Sequence, residues 1–333
     1  MRLSAMGDVA MTVPVLRAFV KQYPDVKLTV ISRPFFKPFF DGIPNLDFFA
    51  FDEKERHKGF AGLLKLFQDV RKLKIDAFAD LHNVLRSKIV SLLFALSGKK
   101  RATVDKGREG KKELTRAENK IFKQLPTMFE RHVKVFEELG FPINLSNPTF
   151  PEKANLSSDI LEIIGDKNQK LIGIAPFAQY DSKVYPLDLI TEVITTLAQN
   201  QDYKILLFGG GKKEIEILDS LSQSFDNVIN MAGKIKFQQE LQLISNLDVM
   251  LSMDSGNAHI AAMLGVKVVT LWGATHPYAG FLPFNQSLEN ALTSDRNQYP
   301  KLPTSVYGNK IVEGYEDAMR TISSKEIIAK LQE

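Results

Sequence analysis

Short apolar runs alternate with helical patterns along nearly the whole chain, and this alternation restricts the possible fold more than any other feature. Runs such as LTVIS (28–32) and YKILLF (203–208) have the length and composition of buried strands. Segments between them, such as 59–74, carry apolar residues at three- and four-residue spacing, which indicates helices. Strands that alternate with helices predict parallel sheets covered by helices. We therefore expect an α/β fold.

The same patterns divide the chain into two alternating arrays. Further strands are predicted at 47–51, 76–81, 170–176, 227–230 and 248–253, and further helices at 86–97, 126–140, 214–223, 238–247, 258–264 and from about Pro186. The passage 141–157 is rich in Pro, Asn and Ser and predicts a linker. We expect two doubly wound, Rossmann-like domains, 1–150 and 151–312. Residues 313–333 are predicted to form C-terminal helices, and one possible arrangement is that these helices pack back on the first domain.

The first residues do not follow this pattern. MRLSAMGDV begins with a polar turn that contains Gly7 and continues as a helix. No apolar run precedes the turn. We therefore expect either a first domain without its usual first strand or a natural chain that begins earlier.

Composition excludes several classes of function. The chain has no Cys, so disulfides, thiolate metal sites and a cysteine nucleophile are excluded. Its five His residues include no helical pair, which argues against a catalytic zinc site. No apolar run reaches membrane-spanning length, and no signal-peptide pattern is present at the N-terminus. We expect a cytoplasmic protein without a transmembrane segment.

Positive charge is concentrated in residues 98–112. This segment holds seven Lys or Arg and two Asp or Glu, a net charge of +5, whereas the whole chain carries +4. So small a total does not indicate a nucleic-acid partner. The segment is either a solvated basic loop or a docking site for an anionic partner.

Candidate site residues are sought in loops after strands, because ligands of doubly wound sheets bind beyond the carboxyl ends of the strands. Asp8 lies where the first helix begins, and it either caps that helix or acts as a general base. Lys183 precedes another helix and is either a surface lysine or a ligand of a diphosphate. FGGGKKE (208–214) lacks the register of a P-loop or of a dinucleotide fold. Its Glu214 could accept hydrogen bonds from ligand hydroxyls.

The stretch that begins at Asp254 has the features of an anion site. Ser255, Gly256 and Asn257 follow a predicted strand and open a helix, and the free amides of a helix N-terminus attract anions. His259 lies one turn into this helix and is either a structural residue or a hydrogen-bond donor to a bound phosphate. The chain contains no Asp-x-Asp pair. A bound diphosphate would therefore be neutralised by side chains and amides rather than by a metal.

Taken in order, these motifs resemble one family. The chain contains SAMGDV (4–9), DLHNVLRS (80–87), RHVKVFEELG (131–140), SKVYP (182–186), GGKKE (210–214) and DSGNAHIAAMLGVKVVTLWGATHP (254–277). The set resembles the bacterial lipopolysaccharide heptosyltransferases, glycosyltransferase family nine. The resemblance covers essentially the whole chain, and the Gly-Asp turn and the last block are its most specific parts.

The resemblance implies a GT-B type fold, in which two Rossmann-like domains face a cleft. The first domain would bind the acceptor and the second an ADP-activated sugar. The implied reaction is an inverting, metal-independent transfer of heptose from ADP-heptose to an inner-core acceptor of the lipid A/Kdo type, without a cofactor. The implied partners are a nucleotide sugar and an anionic glycolipid, which an enzyme at the cytoplasmic face of the inner membrane would meet.

Residue roles follow from the same resemblance. Asp8 would be the catalytic base. The donor diphosphate would be bound by Lys183, Ser255, Gly256 and His259. The nucleotide or sugar would be bound by Glu214, Asp254, Asn257 and Thr275. The acceptor would be bound by Arg86, Arg101, Lys106 and Arg108.

The chain departs from the family pattern at three positions. Tyr185 stands where Trp is usual, Asn257 replaces an apolar residue, and His276 replaces an acidic one. The last two positions are expected near the donor sugar. Two alternatives therefore stay open, namely a transferase of the same fold that uses another nucleotide sugar for a surface glycan, and a noncatalytic protein that binds nucleotide sugars.

Overall fold

The computed structural model describes residues 1–165, 168–310 and 312–333. The chain forms two compact units. The first unit consists of residues Met1–Arg108 and Pro126–Phe150, and the second of Glu109–Leu125 and Pro151–Glu333. Segment 109–125 therefore packs within the second unit, although the sequence on either side of it belongs to the first. The predicted linker 141–157 contains neither helix nor strand.

The first unit is built from parallel strand pairs and flanking helices. Its strands are β1 (Leu28–Ser32), β2 (Leu46–Ala50), β3 (Ala77–Asp80) and β4 (Lys100–Thr103). β1 pairs with β2, and β3 with β4. The helices are α1 (Met6–Ala10), α2 (Thr12–Gln22), α3 (Gly59–Arg71), α4 (Leu85–Leu96) and, after α5 (Arg108–Thr115), α6 (Met128–Glu138). The elements predicted from the apolar patterns in this half are confirmed to within a few residues.

Residues 1–3 lie between β1 and β3 and hydrogen-bond to both. The backbone amide of Arg2 donates to the carbonyl of Ile31 over 3.1 Å. The amino group of Met1 donates to the carbonyl of Ala79 over 2.7 Å. The expected gap at the position of a first strand is therefore partly filled by these residues. A cavity of about 520 Å³ adjoins Met1 between the same two strands.

The basic segment 98–112 is not a loop throughout, although four of its seven basic side chains, those of Lys100, Arg101, Arg108 and Lys112, are exposed. It contains β4 and the first part of α5. Ala102 of β4 is buried because this strand pairs with β3. Lys111 of α5 is also buried, with its ammonium group 4.1 Å from the ring centroid of Phe281. Tertiary pairing and the packing of an aliphatic lysine stem on an aromatic ring outweigh the local charge.

The second unit contains a fully parallel sheet with the strand order β7-β6-β5-β8-β9-β10. Its elements are α7 (Ser158–Ile164), β5 (Lys170–Ala175), α8 (Leu187–Ala198), β6 (Tyr203–Leu207), α9 (Lys212–Ser222), β7 (Val228–Asn230), α10 (Phe237–Ile244), β8 (Val249–Met253), α11 (Gly256–Met263), β9 (Lys267–Trp272), β10 (Ala291–Thr293) and α12 (Ser324–Gln332). The strand order reverses between β5 and β8, which defines a doubly wound sheet. The strands and helices predicted for this half are confirmed.

The C-terminal helix α12 belongs to the second unit. Ile327 and Leu331 are fully buried in the core of that unit together with residues of α8 and β9. Packing of residues 313–333 on the first domain, which the sequence also allows, stays a prediction. Within the described residues, no helix has both the length and the apolar character that crossing a bilayer requires.

A buried histidine in the first unit predicts acid sensitivity. His132 of α6 is fully buried, and burial, followed by the nearby charge of Arg2, lowers its pKa to about 3. An unfolded histidine titrates near pH 6.5. Below that pH the unfolded chain takes up a proton that folded His132 does not. As the pH falls from 6.5 to 3, this group should therefore lower the free energy of unfolding by about 1.4 kcal/mol for each pH unit.

The variant His132→Phe should flatten this dependence between pH 6.5 and 5, as measured by urea denaturation at several pH values. Val135→Ala on the same helix is the control, because it should lower stability equally at every pH. An unchanged slope in His132→Phe would contradict the assignment.

Candidate functional site

Two oppositely charged side chains meet where the strand order of the second unit reverses. Lys183 ends a 3₁₀ turn, Asp181–Lys183, in the loop after β5, and Asp254 directly follows β8. The Nζ atom of Lys183 lies 2.9 Å from Oδ2 of Asp254, and the two side chains are only 12% and 10% exposed. The structure thus brings together two residues that are 71 positions apart in the sequence.

The N-terminus of α11 lies next to this pair in sequence. Ser255 is the N-cap residue, but its hydroxyl lies 3.1 Å from that of Ser252 and makes no cap hydrogen bond. The first amides of a helix, here from Gly256 and Asn257, lack intrahelical partners and carry the positive end of the helix dipole. These residues are partly exposed, whereas His259 is buried one turn further on. An anion can therefore reach the helix start.

Thr275 supplies a buried hydroxyl in the loop after β9. Its Oγ1 has no hydrogen-bond partner among the described residues. The preceding residue, Ala274, donates its backbone amide to the carbonyl of Ser182 over 3.0 Å and accepts from the amide of Ser305. Thr275 is thus connected to the loop that carries Lys183. A buried hydroxyl without a partner is costly, and a bound ligand is one way to satisfy it.

Two glycines that the sequence did not single out fix the position of Lys183. A Cβ on Gly273 would overlap the carbonyl oxygen of Ser182. Gly308 has φ +84°, and a Cβ there would lie 2.5 Å from Cδ of Lys183. The Ser182 hydroxyl also donates to the Gly308 carbonyl over 2.6 Å. Gly273 lies within a recognisable motif, whereas Gly308 lies in a region without one, so pattern alone could not find it.

Two positions that depart from the family pattern have clear environments. Tyr185 is fully buried, and its hydroxyl donates to the carbonyl of Ile322 over 2.8 Å, which anchors the Lys183 loop to the core. Burial raises the pKa of Tyr185 to about 12. Burial, and then the charge of Arg296, lower the pKa of His276 to about 4. His276 is therefore neutral near pH 7 and supplies no charge at this position.

Glu214 is held by its own loop. Its Oε2 accepts a hydrogen bond from the backbone amide of Gly210 over 2.8 Å. The carboxylate therefore closes the glycine-rich turn that precedes α9. This hydrogen bond satisfies the backbone amide of Gly210 whether or not a ligand is bound.

In the first unit, Asp8 is fixed by a buried arginine. Ala5, not Asp8, is the N-cap residue of α1, and Oδ2 of Asp8 accepts a hydrogen bond from the Ala5 backbone amide over 3.2 Å from the third position of the helix. The same oxygen lies 2.5 Å from Nη2 of Arg2, whose side chain is buried. Arg2 also donates to the carbonyl of Leu81 over 2.9 Å. Asp8 remains partly accessible. No sequence motif points to Arg2.

The four basic residues predicted to bind the acceptor have different environments. Burial and neighbouring positive charges lower the pKa of Lys106, whereas Asp8 raises it, so these two side chains influence each other electrostatically. Arg86, Arg101 and Arg108 are exposed. Lys106 is thus linked electrostatically both to Asp8 and to Arg108.

The arrangement in the second unit favours an anion with several oxygen atoms. Lys183, the amides at the start of α11 and the Thr275 hydroxyl are all hydrogen-bond donors. Charge-assisted donors of this kind bind phosphate oxygens strongly. Within residues 1–165, 168–310 and 312–333, no group of three or more His, Asp or Glu side chains is placed to hold a metal ion.

Comparison with solved structures defines the class of the fold. The chain superimposes on a glycosyl transferase family 9 protein from Veillonella parvula with a TM-score of 0.75 and 19% identity, over 99% of this chain and 94% of the other. It superimposes on ADP-heptose lps heptosyltransferase II of E. coli with a TM-score of 0.67 and 19% identity, over 100% and 98%. The fold is the GT-B type of glycosyltransferases, an α/β fold with parallel sheets.

Sequence comparison then defines the family. The sequence profile of glycosyltransferase family 9 (heptosyltransferase) matches residues 63–310. The chain belongs to this family and is a glycosyltransferase. It is 26% identical over 299 residues to the lipopolysaccharide core heptosyltransferase OpsX of Haemophilus influenzae, covering 88% of this chain and 83% of that protein. It is 22% identical over 313 residues to lipopolysaccharide heptosyltransferase 3 of Escherichia coli K12, covering 90% and 87%.

The buried pair predicts an asymmetric response to charge removal. Lys183→Met should lower the free energy of unfolding by about 3 kcal/mol, because it leaves the Asp254 carboxylate buried without its cation. The double variant Lys183→Met/Asp254→Asn should recover part of this loss. Lys27→Met is the matched control, because the ion pair between Lys27 and Asp47 is exposed. It should cost less than about 1 kcal/mol. Urea denaturation of all variants tests this, and equal effects at the two sites would contradict it.

Proposed function

We propose that this protein transfers heptose from ADP-heptose to an inner-core acceptor of lipopolysaccharide, of the lipid A/Kdo type, with inversion and without a metal ion. Family membership and the similarity to lipopolysaccharide heptosyltransferases support this substrate pair. The observation that carries the proposal is the buried Lys183–Asp254 pair at the strand-order reversal, next to the start of α11. The unsatisfied hydroxyl of Thr275 follows Ala274, whose backbone amide bonds to the Lys183 loop.

The second unit, in this proposal, binds the donor. Lys183 and the amides of Ser255 and Gly256 bind the diphosphate, with His259 as a further donor from the first turn of α11. The Thr275 hydroxyl gains the partner that it lacks. Glu214, Asp254 and Asn257 contact the nucleotide or the sugar. Glu214 would do so with the carboxylate oxygen that does not accept from Gly210.

The first unit binds the acceptor and supplies the base. Asp8 takes the proton of the acceptor hydroxyl, whose oxygen then attacks the anomeric carbon on the face opposite the diphosphate. The bond between that carbon and the diphosphate oxygen breaks, and ADP leaves. Arg2 holds the Asp8 carboxylate in place. General-base assistance of this kind contributes about 100- to 10,000-fold to a rate.

Departure of ADP develops negative charge on the diphosphate, and prearranged donors that stabilise such charge are usually the largest catalytic term. Lys183 is fixed by Asp254, Gly308 and the Tyr185 anchor, so little reorganisation accompanies this step. Asp254, the carboxylate nearest to Lys183, already has a side-chain cation as its partner. This pairing supports a reaction in which protein groups, rather than a metal ion, neutralise the leaving group.

We further propose that the exposed residues Arg86, Arg101 and Arg108, together with Lys106, bind the phosphate and carboxylate groups of the acceptor. An acceptor of this kind is an anionic glycolipid of the inner membrane. The reaction would therefore take place at the cytoplasmic face of that membrane.

The roles of Asp8 and Lys183 are tested by steady-state transfer with both substrates supplied. Asp8→Asn should lower kcat by about 100-fold or more and leave the affinity for ADP unchanged. Lys183→Met should lower both the affinity for ADP and kcat. Asp41→Asn and Lys212→Met, at exposed positions of the respective units, are controls. Normal turnover of either test variant would remove that residue from the mechanism.

The substrate is tested by calorimetry with ADP, ADP-heptose, GDP-sugars and UDP-sugars, followed by transfer assays. Preference for a GDP- or UDP-sugar would replace the proposed donor with another. Binding of ADP-heptose without transfer to any acceptor would instead favour a noncatalytic nucleotide-sugar-binding protein.

The role of Gly308 is tested with a matched pair of glycine variants. Gly308 and Gly314 both have φ near +80°, but only Gly308 lies against Lys183, whereas a Cβ on Gly314 would meet nothing within 4 Å. Both alanine variants should lose about 1 kcal/mol of stability from backbone strain. Only Gly308→Ala should also weaken ADP binding, by about tenfold, because it displaces the Lys183 stem. Equal ADP affinities would exclude the positioning role.

A further inference from the structure

Helix α4 of the first unit presents its leucines to solvent. At 100° per residue, one side of the helix carries Leu85, Ile89, Leu92, Leu93 and Leu96. The opposite side is buried and carries Ser87, Val90, Ser91 and Phe94. The side chains of Leu85, Leu92 and Leu96 are 74%, 50% and 76% exposed. The more apolar face of this helix therefore points outward, the reverse of an ordinary surface helix.

This orientation is fixed by specific contacts. The Ser87 hydroxyl donates to Oδ2 of the buried Asp80 over 2.9 Å. The same hydroxyl accepts from the Val84 backbone amide over 3.0 Å, at the N-cap of the helix. On the same buried side, the ring of Phe94 stacks on that of Phe78 with centroids 5.1 Å apart. Rotating α4 to bury its leucines would break all three contacts.

The neighbouring helix α3 adds to the exposed apolar area. Phe60 and Leu64 of α3 are exposed, and α3 packs against α4 through a ring contact between Phe67 and Phe94 at 4.9 Å. We call Phe60, Leu64 and the three exposed leucines of α4 the α3/α4 surface. Exposed apolar residues clustered on adjacent helices mark sites of interaction more often than scattered ones do.

Positive charge accompanies this surface. Arg86 and Lys88 are exposed and lie on the two flanks of the leucine stripe, where Arg86 also pairs with Glu53 over 3.1 Å. Helix α4 contains no Asp or Glu, and Lys100 and Arg101 follow it closely. Leucines on one face with basic residues at its margins are typical of helices that lie in the interface of a bilayer. The basic residues meet anionic headgroups, and each contributes to attraction toward a negatively charged leaflet.

We propose that the α3/α4 surface binds an anionic lipid bilayer, with α4 lying in the plane of the interface. Its leucines enter the boundary between headgroups and acyl chains, and Lys88 contacts lipid phosphates. A second copy of the chain fits this surface less well, because a two-fold contact would set the same basic flanks against each other. The inference rests on exposure and charge and does not require the proposed reaction.

The test is flotation of the full chain with lipid vesicles. The protein should float with vesicles of phosphatidylethanolamine and phosphatidylglycerol, and much less with vesicles of phosphatidylcholine. Leu92→Asn/Leu96→Asn should lower the bound fraction by about tenfold, because it removes apolar contact with the acyl chains. Lys88→Glu should weaken binding to the anionic vesicles. The matched control is Leu161→Asn/Leu288→Asn in the second unit, which changes two other exposed leucines and should bind as the parent does.

Three results would overturn the proposal: no flotation of the parent with anionic vesicles, equal flotation of the leucine variant, or equal flotation with both lipid compositions. A parent dimer that Leu92→Asn/Leu96→Asn dissociates would assign the surface to a second copy instead. The thermal midpoint should stay at the parent value, because both leucines are exposed. Transfer to a deacylated, water-soluble acceptor should also be unchanged in this variant, so loss of vesicle binding is distinguishable from failure of the proposed reaction.

Discussion

The parallel pairing of β5 with β8 is the contact on which the second unit depends. Ile172 stands opposite Val249 and Ala175 opposite Ser252, so both strands end at the same edge of the sheet. The strand order reverses here, and the connections from the two strands leave toward opposite sides. The space between them is where the Lys183 loop and the start of α11 meet. Without this register, a lysine and an aspartate so distant in sequence would not form an ion pair.

A buried ion pair contributes little to stability by itself, because the desolvation of both charges offsets their attraction. The contribution of this ion pair is to fix the position of Lys183. Asp254 holds Lys183 in a fixed place, Gly308 and Gly273 leave room for the loop, and the Tyr185 hydroxyl attaches it to the core. The polar groups around Lys183 are thus arranged before any ligand arrives. Such prearrangement lowers the reorganisation that accompanies charge development.

The first unit also fixes a charged side chain through an ion pair, here between Arg2 and Asp8. Residues 1–3 lie between β1 and β3 and carry Arg2 to the carboxylate of Asp8. Asp80, at the end of β3, fixes the turn into α4 through Ser87. The carboxyl end of β3 therefore has two effects. The carbonyl of Leu81, directly after this strand, accepts a hydrogen bond from Arg2. Asp80, its last residue, fixes the orientation of α4 and so the outward direction of the leucines. Exposure of leucines to water is unfavourable, and an exposed apolar helix face of this kind indicates an interaction site.

The amino-acid sequence by itself determined the α/β class, the division into two arrays, most helices and strands, and the candidate residues Asp8, Lys183 and Asp254. These follow from periodicity and motifs, which are properties of residues close together in the chain. The strand β4, the packing of segment 109–125 with the second unit, and the roles of Arg2 and Gly308 were decided only by the tertiary structure. The reason is physical: each depends on which backbone or side chain lies opposite in space, and contacts between residues distant in sequence leave no local pattern to read.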